Sequence, residues 1–543
     1  IHGTLTITGA EAAPHLYLLN PAGILFGESA RLNLPGNFTA TTASGIGFGL
    51  GDRQRWLSSA DTASPVSYGQ FMGAPTAFTF SAVLPGGIVN QGDLKLRPQQ
   101  EALFLGGLVA NTGRISAPGG DVTLAAVPST SLVRLSQPGH LLSYEVLADA
   151  TQVLASQSEA DYAWLSAVLS QTEGANALIT QADGTVRLQN SMIPLVVEAG
   201  HVIASGNVSV SDIDTANGIG GNIFVLGDRI SVSQATLSAT GQSQGGQIRV
   251  GGNYQGQGSL PTATQTLIDK GSTLIADSIG NIAGIGNIAG IGDGGRVIVW
   301  ADRAAGFWGS ASANAGAQGG DGGFVEISGK EQLIFRGDVS LEASYGNSGT
   351  LLLAPLDIII VDGFSAPDDI EVIDFVVDGL DGGNSTFVIS EGQLETLSAG
   401  FNLRLEATRD ITIQDLSDNS LSFTFGLSTI TLLADADNNG IGDVVMNDFN
   451  DTLETNGGDI NIIGENLDLG TIVTGDSFGM APPGNVQLSA SDQIDVGNID
   501  THASMTTPGV GGNVLIEAQN EIFTGEIFTE GDFAGGDVFI AST

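Results

Sequence analysis

An apolar–x–apolar triplet, preceded by small or polar turn residues, recurs along the chain. It reads GGDVTLAA at 119–126, GGNIFVLG at 220–227, GGQIRVGG at 245–252, GGRVIVWA at 294–301 and GGFVEISG at 322–329. Further copies are GGDINIIG at 457–464, GGNVLIEA at 511–518 and GGDVFIAS at 535–542, with weaker ones at 349–355, 401–407, 428–434 and 484–490. The first apolar residues of the later copies, Leu403, Ile430, Ile460, Val486, Val514 and Val538, are spaced 27, 30, 26, 28 and 24 apart. In the central block Ile223 to Ile248 is 25, and Ile248 to Val297 is 49, which reads as two units. A fixed period of this size is the mark of a stacked repeat.

Within one unit, 220–244, Ile223/Val225, Ile230/Val232 and Leu237 fall on one side of a two-residue alternation. That alternation predicts three short strands per unit, because successive side chains of a strand point to opposite faces. Three strands in about 25 residues describe one coil of a parallel β-helix that pairs with the coils above and below. The expected fold is therefore all-β: a right-handed single-stranded parallel β-helix, a pectin-lyase-like solenoid. The paired glycines are expected at corners that need positive φ.

Two stretches break the pattern. Residues 143–172 carry Ala, Leu and Gln at helical spacing with no Gly, which predicts a helix or lateral excursion. Residues 357–395 are acidic and irregular and predict an insertion loop. The expected organisation is an N-terminal domain over 1–135, an excursion over 136–195, repeats over 196–356, the acidic loop over 357–395, and repeats again over 396–543.

Composition narrows the function. Among 543 residues there are 17 Lys+Arg against 59 Asp+Glu, a net charge of -42, and the basic residues do not cluster. Such a surface repels phosphate backbones and anionic headgroups, so nucleic acid is an unsuitable partner. Cysteine is absent, which removes thiol catalysis, cysteine-ligated metals and disulfides. The apolar run Leu351 to Val361 is cut by Pro355 and Asp357, so no transmembrane segment is expected. Residue 1 is Ile and no signal peptide is visible, so the chain reads as starting inside a domain.

Residues 1–50 contain LYLLNPAGILFG, a strand, a turn at Asn20-Pro21-Ala22-Gly23 and a second strand. Pro21 presets φ for the turn and Gly23 tolerates positive φ. This run resembles the haemagglutination-activity, or two-partner-secretion, domain of filamentous-haemagglutinin-type exoproteins. The matching residues are Gly3-Thr4-Leu5, Asn20-Pro21, Gly23-Ile24, Phe26-Gly27, Leu32-Asn33-Leu34, Gly36, Phe38 and Ala40-Thr41-Thr42-Ala43. GGIVNQGDL at 86–94 and GRISAPGGDVTLAAV at 113–127 extend the likeness, while Ala22 departs from the family's asparagine. The resemblance implies a non-enzymatic, adhesin-like exoprotein of a Gram-negative-type envelope, extracellular or on the cell surface after export. It implies a dedicated outer-membrane transporter that recognises the N-terminal domain through Asn20, Pro21, Gly23 and Ile24, and a surface receptor or glycan as the eventual target.

One motif predicts a metal. In DADNNGIGD at 435–443, Asp435, Asp437, Asn439, the Ile441 carbonyl and Asp443 take alternate positions of a calcium loop, with Gly440 at the sharp turn. Met446 stands where a bidentate Glu closes such loops, leaving Asp448 or a neighbouring turn to substitute. Other patterns read as turns: Arg336-Gly337-Asp338 as a strand corner, Gly241 to Gly245 as a turn lacking the helix of a nucleophile elbow, and GNIAGI repeats at 280–291 without a following helix. The competing functions are a β-helical polysaccharide lyase or hydrolase, which needs carboxylates clustered on one strand face, and a passenger of another export route.

Overall fold

The computed structural model describes residues 1–8, 13–49, 54–58, 71, 73–137, 140–146, 178–180, 186–188, 198–215, 218–280, 291–364, 386–397, 401–423, 429–475, 482–503 and 509–542. Two compact units divide the chain, Ile1–Gly320 and Asp321–Thr543.

Each unit is a stack of coils whose strands form parallel sheets. One coil of the first unit runs through Asn222–Leu226, Arg229–Val232 and Thr236–Ser238, and the chain then returns with Gln247–Val250 directly against Asn222–Leu226. The register is the one the repeat predicts. Ile223 faces Ile248, and in the second unit Leu403, Ile430, Ile460, Val486, Val514 and Val538 pair in succession. Ile223, Val225, Ile248, Leu403, Ile430, Ile460 and Ile516 are each 0% exposed, so these strands turn an apolar face inward. The fold is a parallel β-helix.

Three expectations change. Ile248 pairs directly with Val297, so the 49-residue spacing is one long coil and not two. Its strands Gln265–Ile268 and Thr273–Ile275 continue the sheets of the coil before, and the surplus residues leave the stack as loops, including 251–263. Of the expected helix 143–172, residues 143–146 belong to the strand His140–Val146, and the rest lies outside the described residues, as does most of 280–291. The acidic loop 357–395 is bounded by regular structure: Asp357–Val361 and Thr386–Ser390 pair with each other, and Glu391–Leu397 is helical. Ile358 and Ile360 are fully buried, which is why this stretch enters the sheet despite its acidic neighbours.

The paired glycines have two causes: Gly119 and Gly457, each the first of its pair, take the expected positive φ of +64° and +86°, while the second of the pair answers to a close approach. In the second unit Gly458, Gly484, Gly512 and Gly536 occupy equivalent places, and a Cβ on Gly512 would sit 2.0 Å from the Gly484 carbonyl oxygen. It is the close approach of the neighbouring coil, not positive φ, that admits no side chain there. The residue that follows each of them builds a polar ladder. The Asp459 carboxylate accepts from Asn485 N–H at 2.7 Å and Asn485 Nδ2–H at 3.0 Å. Asn485 Oδ1 accepts from Asn513 N–H at 2.9 Å, and Asn513 Oδ1 from Asp537 N–H at 2.8 Å.

The first unit carries a second core. The antiparallel strands Gly45–Phe48, Arg55–Ser58, Pro75–Phe80, Ser131–Gln137 and His140–Val146 form one sheet beside the coils. Ile46, Phe78, Phe80 and Val133 of that sheet pack with Leu103, Leu105, Ala125, Phe224 and Leu226, which point outward from the helical coils. This covering explains why Ala102–Gly106 is apolar on both faces and why Val122–Ala126 is buried on both. Among the described residues no helix is long and apolar enough to cross a membrane.

Candidate functional site

The Asn20–Ile24 corner joins the strand Leu16–Leu19 to Ile24–Phe26. Asn20 folds its side chain over the turn: its Nδ2 donates to the Gly23 carbonyl at 2.8 Å, and its Oδ1 accepts from Ala22 N–H at 3.2 Å. The backbone closes the same turn, with Gly23 N–H donating to the Asn20 carbonyl at 3.1 Å. Such side-chain-to-backbone bonds are how Asn stabilises a tight turn. Gly23 has φ +123°, which a side chain would strain. Beneath the corner lies Gly86, where a Cβ would meet the Pro21 carbonyl oxygen at 2.5 Å.

The four corner residues therefore do different things. Ile24 pairs with Ile88 and is 5% exposed, so it belongs to the core. Pro21 and Gly23 shape the turn and are half-buried, while Asn20 and Ala22 face solvent. Nearby, a groove is lined by His15, Tyr17, Asn37, Thr39 and Glu101. Asn37 N–H donates to His15 Nδ1 at 3.0 Å and Asn37 Nδ2 donates to the Glu101 carboxylate at 3.0 Å. Burial, with the Glu101 charge second, pushes the Tyr17 hydroxyl above its ordinary range, so it stays protonated.

The loop 435–443 is an exposed, well-closed turn. Asp435 (φ +54°) accepts from Asn439 N–H at 2.7 Å and Gly440 N–H at 3.0 Å, one through each carboxylate oxygen. Asp437 accepts from Asn439 Nδ2 at 3.0 Å, and Asp443 turns away to accept from Asn466 N–H and Nδ2 of the next coil at 3.0 and 2.9 Å. Ile441 is 62% exposed. The oxygens of Asp435, Asp437 and Asp443 are not gathered into one group.

A different acidic group is gathered, and the sequence reading did not name it. Asp415, Asp448 and Asp451 each bring a carboxylate oxygen to within 4.8 Å of the other two, the one such group of three among the described residues. They come from corresponding corners of two adjacent coils. One corner lies between Ile411–Ile413 and Ser420–Phe423; the other lies between Val444–Met446 and Thr452–Thr455. Asp451 is 0% exposed; Asp448 is half-buried and Asp415 exposed. Burial pushes the Asp451 carboxyl up, the Leu416 N–H opposes that rise, and Asp448, Asp415 and Asp418 add to it. Only the mention of Asp448 as a possible substitute ligand pointed this way; the grouping follows from stacking coils, which no local motif encodes.

Arg336-Gly337-Asp338 lies between the strands Gln332–Phe335 and Asp338–Ser340, an ordinary corner with Gly337 buried and Asp338 exposed.

Residues 1–188 match the family model of the TPS secretion domain, a match that runs past residue 135. No curated protein matches the chain. Among solved structures the chain is similar to the HMW1 secretion domain from Haemophilus influenzae, at 20% identity and a TM-score of 0.31, over 62% of this chain and 80% of that one. A TPS secretion domain implies a substrate exported by a two-partner system, with an outer-membrane transporter as its partner.

Proposed function

We propose, from the TPS secretion domain in residues 1–188, that the chain is a structural exoprotein of the adhesin type, extracellular or held at the cell surface, and that its transporter reads the Asn20–Ile24 corner. The family match carries this reading. The corner supports the finer part, because Asn20 and Ala22 are exposed on a turn fixed by Pro21, Gly23 and the Gly86 seat. A rigid turn with exposed polar groups suits recognition, since little ordering entropy remains to be lost on contact. The repeats that follow supply apolar-cored coils suited to displaying a surface to a receptor or glycan.

The test is export of a full-length chain co-expressed with its transporter. Asn20→Ala removes two exposed hydrogen bonds, each of which contributes at most about 0.5–1.5 kcal/mol to folding, so the variant should stay folded with a modestly lower Tm while its secretion falls several-fold. Normal secretion would assign the turn to local structure. Secretion independent of any transporter would remove the export route. Release of reducing or unsaturated ends from pectin-like or alginate-like polymers would favour an enzyme over an adhesin.

A further inference from the structure

We propose that Asp415, Asp448 and Asp451 form a binding site for a hard divalent cation, calcium ahead of magnesium, between two adjacent coils of the second unit. The proposal is independent of the export reading and names a different place from the loop 435–443.

The cluster alone would say little, since exposed acidic groups are common. Asp451 adds a separate observation. Its side chain is fully buried, Oδ2 accepts from Leu416 N–H at 3.1 Å, and Oδ1 has no hydrogen-bond partner. A buried carboxylate oxygen left without a donor is costly, and buried charges are normally paired or bound to a metal. No Lys or Arg follows Arg409 in the sequence, Arg404 and Arg409 are engaged by Glu406 and Asp357, and among the described residues no ion pair reaches Asp451.

The geometry suits calcium. Two oxygens on opposite sides of a calcium ion at about 2.4 Å each are about 4.8 Å apart, and the three carboxylates lie within that span of one another. Asp448 keeps its position through Oδ1, which accepts from Asn450 N–H at 2.9 Å and Asn450 Nδ2 at 2.7 Å. Asp451 is held by its own backbone: its N–H donates to the Asp448 carbonyl at 3.1 Å, and its carbonyl accepts from Thr471 N–H at 2.9 Å. Asp415 is exposed, so the solvent side is open to water, which completes the shell of a six- to eight-coordinate ion. Magnesium, which asks for a tighter octahedron, fits a three-carboxylate, two-loop site less well.

The experiment uses the whole chain stripped with a chelator. Calorimetric titration with calcium chloride should give binding with a Kd of about 0.1–1 mM, in the range of extracellular modules, and millimolar calcium should raise Tm by several degrees. Magnesium chloride should bind more weakly. The double variant Asp415→Asn, Asp448→Asn removes two charges that repel Asp451, so in chelator it should melt no lower than wild type, yet it should lose the heat and the Tm rise. The variant Asp435→Asn, Asp437→Asn should keep both. Absence of heat and of a Tm rise in wild type would overturn the proposal. So would their survival in the Asp415/Asp448 variant, or their loss in the Asp435/Asp437 variant alone.

Discussion

At the scale of single residues, the repeat is written by what the coil below leaves room for. Gly512 is glycine because the Gly484 carbonyl oxygen occupies the place of a Cβ, and Asn513 follows because its Oδ1 accepts the Asp537 N–H of the next coil. Gly512→Ala should destabilise the second unit by about 1–3 kcal/mol, as overpacking does, seen as an earlier midpoint in urea. A midpoint equal to wild type would mean that the backbone opens at no cost. The positive φ of Gly119 and Gly457 was legible in the sequence, while the cause at Gly512 was not, because the obstructing atom belongs to a residue one coil away. The metal chemistry divides the same way. DADNNGIGD is legible as a tight acidic loop, yet Asp435 spends its carboxylate on Asn439 and Gly440 N–H. Asp451 carries no motif, since its neighbour Asp415 lies in the preceding coil.

At the scale of elements, two-residue alternation decides inside from outside. Val514 and Ile516 face inward at 1% and 0% exposure, while Leu515 is half-buried on the other face. Ile516→Asp should therefore lose several kcal/mol by burying an unpaired charge, with a lower Tm and faster proteolysis. Leu515→Asp should be tolerated. Equal melting of the two variants would remove the inward assignment. Alternation was also informative where it failed. Ala102–Gly106 has no polar face at all, a sign in the sequence that something covers it, and the covering sheet through Phe78 and Phe80 is what the strand pattern alone could not place. The spacing of 49 misled for a related reason: periodicity measures chain length, and a coil can carry a loop without adding a layer.

At the scale of the molecule, charge sets the conditions under which the fold is strongest. In the second unit burial is the first cause that raises the carboxyls of Glu391, Glu395, Asp451 and Asp468, with acidic neighbours adding to it. A carboxyl raised in the folded state binds more protons folded than unfolded, so stability falls as pH climbs from the ordinary carboxylate range through the raised values. Asp362, lowered chiefly by the Ser417 N–H, acts in the opposite sense but is exposed. Tm at constant ionic strength and without divalent ions should accordingly be higher near pH 5 than at pH 7, and a Tm that rises over that interval would contradict the sign. Asp468 pairs across the ladder with Asp495, so Asp468→Asn should raise Tm at pH 7 and lose the advantage in strong salt.

The absence of any Lys or Arg after Arg409 has a consequence beyond pairwise repulsion. From there on each coil brings roughly four Asp or Glu and advances the stack by only about 4.8 Å. That is on the order of one uncompensated charge per 1–1.5 Å of axis, comparable with the one per ~1.7 Å of duplex DNA. A line of charge so dense gathers a condensed sheath of counterions, and these coils should carry such a sheath as DNA does. Any cationic surface approaching them would gain affinity by setting those ions free, and would lose it steeply as salt is added.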